Sequence, residues 1–121
     1  MHEFQDMSNQ VPGIALILLS TADGRAVCNW TASNIADPRR LAAMTNSFLT
    51  LGETMARELG MRSAEYATVC TPGGNMVLIR INGPTPMTLA AMDDSRAALA
   101  SLLFAARNCA QRVSALIPRA A

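Results

Sequence analysis

The chain has no lysine and a single histidine, His2, among its 121 residues. Without a second histidine there is no histidine relay for acid, base or nucleophilic catalysis, and no histidine-rich metal cluster to assemble. Charge is scarce as well. Charged residues make up 16% of the chain, the formal net charge is +1, and no run of like charges occurs, so no basic stripe is present to neutralise a phosphate backbone. Nucleic acid is therefore not expected as a partner. Long apolar runs are also missing: the longest, Ile14 to Leu19, falls far below the ~20 residues of a bilayer-spanning helix. No Gly-Lys-Ser/Thr follows the turn glycines Gly24, Gly73 and Gly74, which excludes a phosphate loop. Cys28, Cys70 and Cys109 are too few and too widely spaced for a disulfide framework or a zinc knuckle, and read as buried free thiols of a cytoplasmic protein, with a redox role as the less favoured alternative.

Against these absences stands a hydrophobic content of 50%. A chain of this length makes one domain, burying roughly two thirds of the surface it exposes when unfolded. Residues 1–10 form a polar lead, with room for a short helix; residues 11–118 form the domain and 119–121 a tail. The lead carries Glu3 and Asp6 and no cationic segment running into an apolar one, so it does not read as a signal peptide, and the mature chain is expected to start here. After Val11-Pro12-Gly13, Ile14–Leu19 reads as a strand covered on both faces, and Asp23-Gly24 turns the chain back into Arg25–Thr31 as a hairpin. Asp37 as cap and Pro38 at the first position open a helix to Leu59, closed by Gly60. At 1.5 Å per residue that helix is ~33 Å long. Ser63–Thr71, the turn Pro72-Gly73-Gly74 and Asn75–Asn82 form a second hairpin, and Met87–Met92 is a weaker strand because alanine is a poor strand former. Asp93 and Asp94 suit the start of a helix from Ser95 to Ile117, ended by Pro118. The order β-β-α-β-β-β-α implies a mostly antiparallel five-stranded sheet with helices on its faces.

The first long helix has two rows to bury. Leu41, Met44, Phe48, Leu51, Met55 and Leu59 form an apolar stripe, expected on the sheet. Beside it Ala42, Thr45, Leu49, Gly52 and Ala56 form a row of small residues, with Asn46 assigned to the polar sector beyond. Small side chains let two helices approach closely, and Gly52 in an exposed helix interior costs about 1 kcal/mol relative to alanine, which a close helix partner would offset. The alternative is that alanine is simply a good helix former and the row is solvated. Met44, Met55, Met76, Met87 and Met92 fall on expected core positions. The last helix carries Leu99, Leu102, Leu103, Ala106, Ala110, Val113 and Ile117 on one stripe, with Phe104 off it. The carboxylates Glu53, Glu58, Glu65, Asp93 and Asp94 read as surface or cap groups. No catalytic residue, metal site or cofactor is expected.

The succession of Val11-Pro12-Gly13, an aliphatic strand, Ser20-Thr21-Ala22-Asp23-Gly24, a long helix and a hairpin at Pro72-Gly73-Gly74-Asn75 resembles the roadblock / dynein light chain family, in particular bacterial members that act alongside Ras-like small GTPases. The resemblance runs from Val11 to Ile117. It implies a roadblock/profilin-like α/β sandwich and a homodimer in which the long helix lies against its mate while edge strands join the sheets. Carried onto this chain, the pairing surface would be Ala42, Thr45, Leu49, Gly52 and Ala56, with Ser63–Thr71, including Tyr66 and Thr68, as the joining edge. The implied function is that of a non-enzymatic cytoplasmic adaptor or regulator of a Ras-like small GTPase, with no membrane insertion. A small-molecule-binding sensory α/β module is the alternative, motivated by the methionine-rich interior. Only ten residues precede Val11, fewer than the full helix usual in the family, which implies thin cover of one sheet face and an apolar groove near Phe104.

Overall fold

A computed structural model describes residues 2–32, 37–62 and 64–117. The elements follow in the order α1 (His2–Gln10), β1 (Ile14–Thr21), β2 (Ala26–Thr31), α2 (Pro38–Glu58), β3 (Tyr66–Thr71), β4 (Gly74–Ile81), β5 (Met87–Asp93) and α3 (Leu99–Leu116). The five strands form one sheet in the order β2-β1-β5-β4-β3, antiparallel at every pairing. The expected sheet and helices are thus present. Ser63, expected at the start of the third strand, and Pro118 with the tail lie outside the described residues.

The strand expected to be weakest is central. β5 lies between β1 and β4, and its Leu89, Ala90 and Ala91 are buried. Alanine is a poor strand former where a strand must cover a face by itself, but between two strands and two helix layers its small volume is what the space accepts. Successive residues point to opposite faces. Ile17, Leu19, Val77, Ile79, Leu89 and Ala91 meet α1 and α3, while Leu16, Leu18, Leu78 and Ala90 meet α2.

The polar lead is a helix whose two large apolar side chains do the packing. Phe4 and Met7 are fully buried in the core shared with α3, and each such burial is worth about 2 kcal/mol. At its surface Arg112 donates to Asp6 at 2.8 Å, and this hydrogen bond holds the Asp6 carboxyl below its usual range. α1 and α3 together bury this face, so the thin cover expected from the short lead is not found, although a groove near Phe104 is present. Phe104 is exposed beside a groove of about 490 Å³ formed with Val11, Ala100 and Ala105.

Two connections depend on glycine. Gly13 has φ +82°, and a Cβ there would stand 1.9 Å from Asp94 Oδ1; the close approach lets the Asp94 N–H donate to Gly13 O at 3.0 Å. Gly24 closes the β1–β2 hairpin at φ +92°, with the Thr21 hydroxyl donating to Asp23 Oδ1 and the Gly24 N–H to Thr21 O at 2.9 Å.

Asp93 and Asp94 differ from their expected role. Asp93 is buried at the end of β5, where its Oδ1 accepts from the Asn75 and Ser95 N–H groups, each at 3.0 Å; Asp94 Oδ1 accepts from the Arg96 N–H at 3.2 Å. They shape the loop before α3, which begins four residues later than expected, at Leu99, with no side-chain cap.

Candidate interaction surface

The start of α2 follows its sequence: the Asp37 side chain accepts from the Arg39 N–H at 3.0 Å, and Pro38 occupies the first turn. After Leu59 the chain turns at Gly60, φ +72°. The rotation of the helix about its axis is where expectation and structure part. Ala42, Thr45 and Leu49 are buried against the sheet, together with Asn46. Met44, Phe48, Leu51, Met55 and Leu59 face outward, with exposures from 47% at Phe48 to 69% at Leu59.

The physical cause is a polar network between α2 and the sheet. Asn46 Nδ2 donates to Ser20 Oγ at 2.8 Å and to Ala42 O at 2.9 Å. Its Oδ1 accepts from Thr88 Oγ1 at 2.6 Å and from Arg80 Nη1 at 3.1 Å; Arg80 also donates to Thr88 Oγ1 at 2.7 Å and, through Nε, to Glu53 Oε1 at 3.1 Å. The sheet face under α2 is half aliphatic, from Leu16, Leu18 and Leu78, and half polar, from Ser20, Arg80 and Thr88. Only the helix face carrying both Leu49 and Asn46 satisfies both halves, and buried polar groups left unpaired cost about 1–3 kcal/mol each. Ala42 admits the close approach.

The expected small-residue pairing row is therefore corrected. Ala42, Thr45 and Leu49 belong to the core of the single chain, and Gly52 and Ala56 sit half-buried at its flank. The stripe expected on the sheet is the free face, and Met44 and Met55 are exposed, whereas Met76, Met87 and Met92 are partly buried. Tyr66 and Thr68 are exposed on β3, which among the described residues pairs with β4 alone and stands at the edge of the sheet. Exposed large apolar residues at spacings of four, three, four and four form a contiguous patch of the kind that marks an interaction surface.

The thiols also differ. Cys109 is buried and Cys28 half-buried, but Cys70 is exposed on β3. Burial raises the Cys28 thiol and pushes that of Cys109 up to about 11. Among the described residues no group of three or more His, Cys, Asp or Glu side chains could hold a metal ion, and no helix is long and apolar enough to cross a membrane.

The family model for the Roadblock/LC7 domain matches residues 2–91. The chain belongs to the Roadblock/LC7 family. Among solved structures, this Roadblock/LC7 chain is similar in fold to Myxococcus xanthus MglB, at 13% identity and a TM-score of 0.80, over 92% of this chain and 88% of that one. A Roadblock/LC7 domain from Streptomyces avermitilis superposes with a TM-score of 0.80 at 16% identity, covering 93% of this chain and 92% of that chain. LokiProfilin2, solved in a complex with rabbit actin, matches at a TM-score of 0.63 and 20% identity over 96% of both chains. No curated protein sequence matches. The shared fold is the roadblock/profilin-like sandwich. The match begins at residue 2 and so takes in α1.

Proposed function

We propose that this Roadblock/LC7 chain is a homodimeric, non-enzymatic regulator of a Ras-like small GTPase, and that it pairs through the outer face of α2. The observation that carries the pairing is the exposed stripe Met44, Phe48, Leu51, Met55 and Leu59 on the same helix whose other face is committed to the sheet. The stripe, with half-buried Leu41, reads nearly the same in both directions. A second copy laid antiparallel sets Phe48 against Leu51 and Met44 against Met55, with Leu41 one residue out of register with Leu59, the self-complementarity that a twofold interface requires. Covering these side chains is worth about 1 kcal/mol each. The free edge of β3, with Tyr66 and Thr68, would join the two sheets through backbone hydrogen bonds.

The GTPase partner is supported by family membership and by the resemblance to bacterial members that act beside such GTPases. The role fits a surface that would present paired helices to a partner and leave hydrolysis to the GTPase's own residues. Two measurements test the reading separately. Native mass spectrometry is expected to give twice the chain mass; a monomer at micromolar concentration overturns the pairing. Pull-down with small GTPases from the same genome, loaded with GDP or a GTP analogue, is expected to recover one in a nucleotide-dependent way; recovery of none leaves a scaffold without that partner.

A further inference from the structure

On the sheet face opposite α2, a cleft of about 260 Å³ opens between the start of β3, the end of β4 and the C-terminal half of α3. Its floor is apolar: Ile79 and Ile81 from β4 and Ala110 from α3 are all buried. One wall pairs Tyr66 with Arg107, whose guanidinium carbon lies 5.7 Å from the ring centroid. That stack restrains a long, flexible side chain over an aromatic face, and among the described residues Arg107 makes no ion pair and no side-chain hydrogen bond. Arg39, Arg80, Arg96 and Arg112 each pair with a carboxylate; Arg107, unlike Arg25, Arg40, Arg57 and Arg62, which are likewise unpaired among the described residues, is held over an aromatic ring. Arg107 stands at the mouth of a cleft with an apolar floor and a polar rim of Asn82, Gln111 and Ser114; Glu65 also lines it, its carbonyl accepting from the Arg80 N–H at 3.1 Å, while the Arg80 guanidinium is committed to Glu53, Asn46 and Thr88.

We propose that this cleft binds a small monocarboxylate with a compact apolar tail. The planar guanidinium fork matches a carboxylate in two parallel hydrogen bonds, and the isoleucine floor takes the tail. A single arginine over an apolar floor suits one carboxylate better than a phosphate, which calls for more donors. The volume lies just below the range of about 300–1,000 Å³ usual for ligand clefts, so a short branched acid fits and an extended chain does not. The cleft and the α2 stripe lie on opposite faces of the sheet, and although Tyr66 on the β3 edge borders both surfaces, Arg107→Gln alters the cleft and Leu51→Glu the stripe, so failure of ligand binding and failure of pairing are distinguishable.

The test is an amide-shift titration of the full chain with isovalerate, and with isovaleramide as its neutral match. Isovalerate is expected to cause saturable millimolar shifts confined to Tyr66, residues 79–82 and residues 107–114, with isovaleramide about tenfold weaker. Arg107→Gln is expected to weaken the acid about tenfold and leave the amide unchanged, while Arg25→Gln, at the distant β1–β2 turn, changes neither. Arg107 is exposed, so the variant keeps its fold, checked by an otherwise unaltered spectrum. Equal affinity for acid and amide, an unaltered Arg107→Gln titration, or no saturable shift in the millimolar range would each overturn the proposal.

Discussion

Arg80 and Asn46 belong to different layers, and the guanidinium of the first donates to the side-chain carbonyl of the second at 3.1 Å. The contact joins β4 to α2 and sets which way the helix faces. Arg80 is 9% exposed at its side chain and is balanced by Glu53, so both ends of the network carry a partner.

Replacing Asn46 with leucine keeps its approximate size and leaves Arg80, Thr88 and Ser20 short of partners. The expected loss is about 2–4 kcal/mol, read as a lower urea midpoint at unchanged slope. An unaltered midpoint would show that the network does not hold the helix.

The two rows of α2 answer differently to charge. Leu51→Glu, on the exposed stripe, is expected to leave the circular dichroism spectrum intact and weaken pairing by about 100-fold, measured by light scattering after size exclusion. Leu49→Glu, two residues away and 1% exposed, is expected to cost more than about 4 kcal/mol and unfold the chain.

Thiol reactivity should separate the three cysteines. At pH 8 a disulfide reagent is expected to modify exposed Cys70 quickly, Cys28 slowly and Cys109 only on unfolding. Because the folded Cys109 value, about 11, exceeds its ordinary value of 9.0, the folded state holds the proton more tightly. Its contribution is full below pH 9 and is lost as pH rises towards 11, so Cys109→Ala should flatten the alkaline limb of the stability profile.

Gly13→Ala places a methyl against Asp94 Oδ1 and forces a left-handed φ on alanine. A destabilisation of roughly 1–3 kcal/mol is expected in thermal melts, with no effect on the α2 stripe.

Much of this protein is legible in its sequence because the signals are local. Asp37-Pro38 starts α2, Gly60 follows its end, Asp23-Gly24 turns the first hairpin and Gly13 marks the entry to β1; each acts through a backbone angle or a cap that its own neighbours decide. The two rows of α2 were legible as well. Their assignment was not, since a helical wheel shows that both can be buried and says nothing of what lies beneath. That depends on Ser20, Arg80 and Thr88, brought under one helix by strands far apart in the chain, and the demand of those buried polar groups for Asn46 outweighed the apolar attraction of Met44, Phe48 and Leu51. A polar residue at the edge of a small-residue row is the one signal the sequence offers, and by helical position alone Asn46 groups with the solvent-facing set. The elements, their order and the family pattern are written in local stretches of chain; which face of α2 stays exposed is not, because only the assembled sheet presents the polar groups that choose the face it holds.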